Sequence, residues 1–313
     1  LGSTTKQALE NSLDLARHAE RLGYHRFWLA EHHNMPGIAS AATAVVIAHV
    51  AGGTKTIRVG AGGIMLPNHN PWVIAEQFGT LDALFPGRVD LGLGRAPGAD
   101  GRLAQLLRKD LMRAAENFPH DVVELRALLT GEPALQMRAT PGYGAQVEMW
   151  MLGSSLFGAQ LAAMIGMPYA FASHFAPDHL DAALALYRKE FRPSPWLDRP
   201  HAMAAMTVIA ADSDEEAVLL ASSLDQGFVA LRSGTPGRLK PPVPGYRKSL
   251  PPQMLAMLEH MRQASAVGSP ATVRDQIAAF VERTRADELI VAGSTFDPLA
   301  RHRSLELTMQ ALA

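Results

Sequence analysis

The sequence contains no cysteine among its 313 residues. Disulfide bonds, thiolate metal ligands and a cysteine nucleophile are therefore excluded. Aromatic residues make up only 6% of the chain, and 29 basic residues nearly balance 30 acidic ones, for a net charge of -1. This balance provides no strongly basic surface for nucleic acid or for an anionic membrane. Because a reducing compartment suits a chain without cysteine, we expect a cytoplasmic protein.

Long apolar runs are also lacking. The longest, residues 156–176, is interrupted by Gln160, Gly166, Pro168 and His174, whereas a helix that crosses a membrane needs about 20 largely apolar residues. We therefore expect a soluble protein with neither a membrane span nor a secretory signal. With 48% hydrophobic residues, the chain can bury the core of one large α/β domain.

Strand-like and helix-like segments alternate along the chain. Strands are predicted at residues 25–30, 57–62, 88–94, 147–152, 168–172, 203–210 and 288–292. Helices are predicted at residues 7–22, 40–50, 73–84, 108–129, 157–165, 178–191, 214–224, 253–264 and 271–284, with one more closing the chain. Gly23 is predicted to end the first of these helices, and Ser213 to cap the helix at 214–224. Alternation without hairpin signals predicts a parallel sheet, and the even spacing favours a (β/α)8 TIM barrel over a doubly wound sheet.

A barrel of this kind needs eight strands, and the sequence predicts seven. Since the chain enters a helix almost at once, we expect the first strand to precede residue 1. Residues 1–313 are predicted to form one domain. Residues 226–252, rich in Pro, Gly, Lys and Arg from residue 232 onward, are predicted to form a mobile insertion before the last helices.

One segment combines a buried strand with ionisable side chains. The apolar run at residues 27–30 ends in Glu31, His32 and His33, and sites in parallel α/β folds gather at the carboxyl ends of strands. Neighbouring side chains of a strand point to opposite faces, so His32 and His33 cannot both face a barrel axis. A hydrolase-type metal centre would need histidines two apart on one strand, so no metal is expected. Catalysis and a rim cluster pairing with nearby arginines remain equally good interpretations.

Three glycines interrupt the next strand, at Gly60, Gly62 and Gly63. Glycine within a strand indicates a bulge or a close approach of another backbone. Tight packing against a helix and a flat ligand lying on bare backbone both explain the pattern. The polar loop at residues 66–71 follows directly and favours the ligand.

An arginine ends the third predicted strand. Arg95 lies within the glycine-rich residues 92–98, and its forked guanidinium suits a phosphate group. A salt bridge to Asp90 or to Glu31 is the alternative.

Two serines stand between glycines before the helix predicted at 157–165. Ser154, Ser155 and the downstream Gly158 place hydroxyls and free amides at a helix start, where an anion binds well. Ordinary N-capping explains one serine and leaves the other unexplained.

A few large side chains near the predicted rim could line a substrate pocket: Met35, Met65, His174 and Phe175. Plain core packing is the alternative, because apolar residues near a rim belong more often to the core.

Together these segments resemble the luciferase-like flavin monooxygenase family, over nearly the whole chain. The resemblance is densest at residues 24–100 and 150–177. It implies a (β/α)8 barrel, often dimeric, that uses reduced FMN and O2, while a minority of members use the deazaflavin F420. It also implies site residues: His32 as a catalytic residue in the oxygen chemistry of the flavin, with Glu31 as a second catalytic residue, a cis peptide at Gly62–Gly63 behind the flavin ring, and phosphate binding by Arg95, Ser154, Ser155 and Gly158.

One departure concerns the phosphate loop. Luciferase has a Glu-Ser pair where this chain has Ser154-Ser155, which keeps the backbone amides and loses any contact from the glutamate. The resemblance predicts an FMN-dependent monooxygenase of a small organic substrate, a homodimer supplied with reduced FMN by a separate NAD(P)H-dependent reductase. An F420-dependent hydride-transfer enzyme and a non-catalytic flavin-binding protein are the alternatives, and the histidine spacing argues against a metal-dependent hydrolase.

Overall fold

Strands and helices alternate in the computed structural model, which describes residues 4–96, 110–132 and 137–313. The strands are β1 (Arg26–Leu29), β2 (Arg58–Met65), β3 (Val89–Gly94), β4 (Glu148–Gly153), β5 (Tyr169–Phe171), β6 (Ala202–Ala210), β7 (Ser265–Gly268) and β8 (Glu288–Ala292). The helices are α1 (Thr5–Arg21), α2 (Thr43–Gly52), α3 (Pro71–Leu84), α4 (Leu111–Thr130), α5 (Leu156–Ile165), α6 (Leu180–Glu190), α7 (Asp214–Arg232), α8 (Pro252–Met261), α9 (Pro270–Thr284) and α10 (Pro298–Leu312).

The contacts group the chain into two compact units. The first unit comprises Ser12–Asn34 and Ala39–Gly153. Its strands pair in the order β1, β2, β3, β4, and all three pairings are parallel. Val59, Ala61 and Ile64 of β2 and the three apolar residues of β3 are buried, because helices cover a parallel sheet on its faces. The carboxyl ends of these four strands therefore lie along one edge of the sheet.

The second unit comprises Leu1–Asn11, Met35–Ile38 and Ser154–Ala313. Its central strand is β6, which pairs in parallel with β5, β7 and β8. All nine residues of β6 are buried, and Thr207 is its one hydroxyl residue. A strand without polar alternation is typical of a sheet that is covered on both faces. Within the described residues, no helix is both long and apolar enough to cross a membrane.

The α/β class and the parallel pairing are confirmed. All seven predicted strands are present, and β7 is an additional one that the sequence did not reveal, because four residues are too few to show a periodicity. The predicted glycine end of the first helix is confirmed by Gly23, at φ 84°. The predicted cap of α7 is also confirmed, since Ser213 Oγ accepts a hydrogen bond from the amide of Glu216 at 3.2 Å.

The predicted insertion differs in its boundary. Helix α7 continues to Arg232, so residues 226–232 are helical and the irregular segment begins at residue 233. Residues 230–232 (Ala, Leu, Arg) are good helix formers, although the Pro-rich residues that follow them suggested a loop. Residues 108–109 of one predicted helix lie outside the described residues. The single domain and the strand before residue 1 stay predictions.

Candidate functional site

A buried carboxylate organises the carboxyl end of β1 in the first unit. Glu31 is 1% exposed. Its Oε1 accepts hydrogen bonds from Nε2 of His33 at 2.7 Å and Nε2 of His69 at 2.8 Å. Its Oε2 accepts one from the backbone amide of Met65 at 3.1 Å. Because an ionised carboxylate is only an acceptor, both imidazoles carry a proton on Nε2.

These hydrogen bonds keep Glu31 ionised. Burial by itself raises the pKa of Glu31, but the hydrogen bond and charge of His69, the hydrogen bond of His33 and the amide of Met65 outweigh burial, and the pKa lies below its ordinary value. The group thus contains a fixed negative charge at neutral pH. Through its hydrogen bonds, this charge orients the two imidazole rings.

His32 lies in a different environment from its neighbour His33. It is half-buried, and among the described residues its ring has no hydrogen-bond partner. Burial lowers the pKa of His32, the charge of His33 lowers it further, and the charge of Glu31 offsets part of the effect. His32 is consequently a neutral imidazole at pH 7 and able to accept a proton. The two histidines thus differ in their contacts, and because β1 ends at Leu29, strand parity does not explain this difference. That only one of them faces a barrel axis stays a prediction.

His69 is a site residue that the sequence did not single out. It follows β2 by way of the short 3-10 turn Leu66–Asn68, and β1 pairs with β2 through Leu29 and Ala61. Two adjacent strand ends therefore bring His69 to Glu31, although 38 residues separate them. The available signal was a histidine in the polar loop directly after a strand. The carboxylate pairs with histidines, so the interpretation that this cluster pairs with arginines is wrong for Glu31.

The same group has the donor set of a metal site. One ligand atom each of Glu31, His33 and His69 lie within 4.8 Å of one another. A carboxylate and two imidazoles suit a divalent transition metal. His69 follows the neighbouring strand, so the spacing of histidines along one strand does not reveal this donor set. In this arrangement, however, Glu31 Oε1 already accepts two N–H groups. A metal would have to displace both protons and separate the rings.

The glycines of β2 are required by the sheet itself. A Cβ on Gly60 would lie 2.4 Å from the carbonyl oxygen of Asp90, and one on Gly63 would lie 2.7 Å from that of Gly92. The register of β2 against β3 shifts between Ala61 and Ile64. The predicted bulge and close backbone approach are both confirmed, against a neighbouring strand instead of a helix. The peptide bond Gly62–Gly63 is cis, as the resemblance implied; its place behind a flavin ring stays a prediction.

Arg95 directly follows β3 and is exposed. Both carboxylates considered as its salt-bridge partners are bonded to other groups. Asp90 accepts hydrogen bonds from Arg26 at 2.8 Å and Arg58 at 2.7 Å, and Glu31 accepts those of the histidines. Phosphate binding by Arg95 stays a prediction.

The serine pair lies at the start of α5 in the second unit. Ser155 is the N-cap residue in an extended conformation, and its side chain makes no capping hydrogen bond. At α7, by contrast, the N-cap Ser213 does cap its helix. Ordinary side-chain capping therefore does not account for Ser155. The first amides of α5 have no intrahelical partner and suit an anion, and Gly158 is buried in that first turn.

The residues predicted to line a pocket fall in both units. Met65 belongs to the first unit, while Met35, His174 and Phe175 belong to the second. The rings of His174 and Phe175 meet edge to face with centroids 4.8 Å apart. His174 Nδ1 is buried, with no hydrogen-bond partner in the described part of the chain, and burial lowers the pKa of His174 to about 4. His174 is thus neutral at pH 7, and contact with a substrate stays a prediction.

Comparison with known proteins gives consistent results. The model of the family described as luciferase-like monooxygenase matches residues 1–288. A luciferase-like monooxygenase of Escherichia coli (strain K12) is 51% identical over 309 residues, which are 98% of this chain and 92% of the relative. The crystal structure of apo-MsnO8 is 33% identical, covers 99% of this chain and 94% of its own, and has a TM-score of 0.88.

Solved structures with lower identity share the fold and differ in cofactor. The oxygenating constituent of 3,6-diketocamphane monooxygenase from Pseudomonas putida, in complex with FMN, is 19% identical, with a TM-score of 0.72 over 99% of this chain and 93% of its own. An F420-dependent secondary alcohol dehydrogenase is 14% identical, with a TM-score of 0.72 over 97% of this chain and 94% of its own. These neighbours bind FMN or F420, so the fold alone does not select the cofactor.

Proposed function

Because the chain belongs to the luciferase-like monooxygenase family, we propose that it is an FMN-dependent monooxygenase that uses reduced FMN and O2 to oxygenate a small organic substrate. The observation that carries this proposal is the site at the end of β1. There an ionised, buried Glu31 bonds to His33 and His69 and adjoins the neutral His32. Proton transfer beside a reacting group is the work that such an imidazole can do near pH 7.

The residues present fit a flavin phosphate. The hydroxyl of Ser155, at the start of α5, makes no capping hydrogen bond. The exposed Arg95 supplies a forked, cationic guanidinium. Reduced FMN, when bound, would supply the electrons that activate O2. Each of the two phosphate-binding assignments is tested by itself, in its own unit.

The protein residues have separate tasks in this proposal. His32 holds or returns a proton at its unbonded ring nitrogen. Glu31 fixes the rings of His33 and His69 and does not itself transfer a proton, since its pKa is lowered and both oxygens accept hydrogen bonds. This differs from the expectation that Glu31 is catalytic, and makes it a positioning residue.

The test compares flavin with and without its phosphate. Arg95→Ala should weaken FMN binding at least about tenfold, the worth of a lost charge-assisted hydrogen bond, and leave riboflavin binding unchanged. Arg232→Ala, an exposed arginine at the end of α7, is the matched control and should affect neither ligand. Equal losses for FMN and riboflavin would contradict the phosphate assignment.

Function is tested by O2 uptake that depends on reduced FMN and yields an oxygenated product. Binding of F420 without binding of FMN would replace the proposal with hydride transfer. FMN binding without O2-dependent product would replace it with a non-catalytic flavin protein. We also propose a homodimer, tested by light scattering, and a separate NAD(P)H:flavin reductase as electron source, tested by adding such a reductase to the assay.

A further inference from the structure

Helix α10 of the second unit carries two arginines in contrasting environments. Arg303 is exposed, and it pairs with Asp212 at 2.6 Å and with Glu306 at 3.3 Å. Arg301 is half-buried, and no carboxylate or hydrogen-bond acceptor contacts its guanidinium among the described residues. Even partial desolvation of a cation without a partner is costly, so a compensating anion is expected beside such a group.

The position of Arg301 follows from its helix neighbours. Ser304 Oγ accepts a hydrogen bond at 2.9 Å from the amide of Ala210, the last residue of β6. Arg301 precedes Ser304 by three residues and Thr308 by seven, so the three lie on one helix face. Ser304 is 5% exposed and Thr308 fully buried. Arg301 therefore lies on the face of α10 that packs against the sheet.

The direction of the helix places Arg301 beyond the sheet. Helices in β/α units run antiparallel to the strands they cover, and Arg301 is about 4.5 Å nearer the helix start than Ser304 at 1.5 Å per residue. Because Ser304 marks the last residue of β6, Arg301 lies past the carboxyl end of that strand. The contact of Arg303 with Asp212, two residues after β6, agrees with this direction.

Arg301 is partly desolvated and keeps some contact with solvent. Burial lowers the pKa of Arg301 to about 10, so it remains a cation at pH 7. Part of its side chain is nevertheless in contact with solvent. The guanidinium of Arg301 is thus partly desolvated and still accessible to a ligand from solvent. His174, which follows the neighbouring β5, adds a neutral ring with an unpartnered Nδ1 at the same edge of this unit's sheet.

We propose that Arg301 is an oxoanion-binding residue at the carboxyl end of β6, which takes the carboxylate, sulfonate or phosphate group of a ligand of the monooxygenase. The planar fork of arginine binds two oxygens of such a group at once, and the partly exposed Phe175 offers an apolar surface to the rest of an organic anion. The inference rests on the proposed function, because a flavin monooxygenase has two ligands that could supply the anion: an acidic substrate, or FMN through its phosphate.

Binding of anionic and neutral ligands to the purified full chain distinguishes an acidic substrate from the phosphate of FMN as the group that Arg301 binds. Arg301→Gln removes the charge at similar size, Arg301→Lys retains a point charge, and Arg303→Gln is the matched control on the same helix. The probes are FMN against riboflavin, and octanoate against 1-octanol at constant ionic strength. We expect Arg301→Gln to weaken either FMN or octanoate at least about tenfold, with riboflavin, 1-octanol and the Arg303→Gln control unaffected, and Arg301→Lys to lie between.

The pattern of losses assigns the anion. A loss confined to FMN identifies the cofactor phosphate, and a loss confined to octanoate identifies an acidic substrate. Equal affinities in Arg301→Gln and Arg303→Gln for both anions would overturn the inference. If Arg301→Gln does not fold, the wild-type chain is modified with phenylglyoxal, a reagent for arginine. Octanoate or FMN should slow the modification of Arg301 and leave that of Arg303 unchanged. If neither ligand protects Arg301, the inference is overturned. These are binding measurements, so missing O2 uptake would count against the proposed function alone.

Discussion

Replacing Glu31 by glutamine tests the central contact of the site with a change of very few atoms. The carboxylate accepts three hydrogen bonds, from His33, His69 and the amide of Met65. A glutamine oxygen turned to the histidines places its NH2 group against the amide of Met65, and the opposite rotamer places it against the two imidazole N–H groups. As long as both imidazoles carry their proton on Nε2, either rotamer leaves at least one donor without its acceptor.

The expected loss of stability follows from the number of hydrogen bonds that the substitution removes. An unsatisfied buried polar group costs about 1–3 kcal/mol, so Glu31→Gln should lower the free energy of unfolding by about that amount at pH 7. Glu282→Gln, at an exposed glutamate of α9, is the control and should change stability by less than about 0.5 kcal/mol. Urea denaturation measures both variants against the wild type.

The pH dependence provides a second check. The folded-state pKa of Glu31 lies below its ordinary value of 4.5, so its contribution to stability is present above that value and is lost as the pH falls through the folded-state pKa. The stability difference between wild type and Glu31→Gln should therefore shrink below pH 4.5. A variant as stable as the control at pH 7, or a difference that stays constant into acid, would refute the reasoning.

Three further predictions concern other parts of the chain. His32→Ala should keep FMN affinity within a few-fold and slow productive oxygenation by about 10²–10⁴; a comparable loss of affinity would contradict its role in proton transfer. Asp90→Asn should lower the free energy of unfolding by about 1–3 kcal/mol, because Arg26 and Arg58 lose the charge of their fully buried partner and keep only their ion pairs with Glu148; a loss below about 0.5 kcal/mol in urea denaturation would show that the network is dispensable. Ser213→Ala should cost about 1 kcal/mol of stability, whereas Ser155→Ala should cost little and weaken FMN, since only Ser213 caps its helix; the reverse pattern would make Ser155 an ordinary cap.

Local patterns sufficed for most of the fold. Apolar runs ended by glycines marked the strands, and Ser213 and Gly23 marked helix boundaries that the structure confirms. The strand β7 escaped because its four residues carry no periodic signal. The end of α7 was misplaced because Gly227 and the Pro-rich residues that follow suggested a loop, whereas Ala230, Leu231 and Arg232 favour a helix, which continues to Arg232.

The site was predictable only where its residues are neighbours in sequence. Glu31 and His33 stand two apart and proved to be in contact. His69 comes to them through the pairing of β1 with β2, which no local pattern encodes. Arg301 and Arg303 look alike in the sequence of an amphipathic helix, and only the burial of one and the ion pairs of the other separate them.

Cofactor choice is tested most directly by an anaerobic titration of the purified chain with reduced FMN, oxidised FMN and reduced F420, followed by admission of O2. The account predicts that reduced FMN binds, that reduced F420 does not compete with it, and that O2 then reoxidises the bound flavin at a rate different from that of free flavin. Saturable binding of F420 with no binding of either form of FMN would contradict the account.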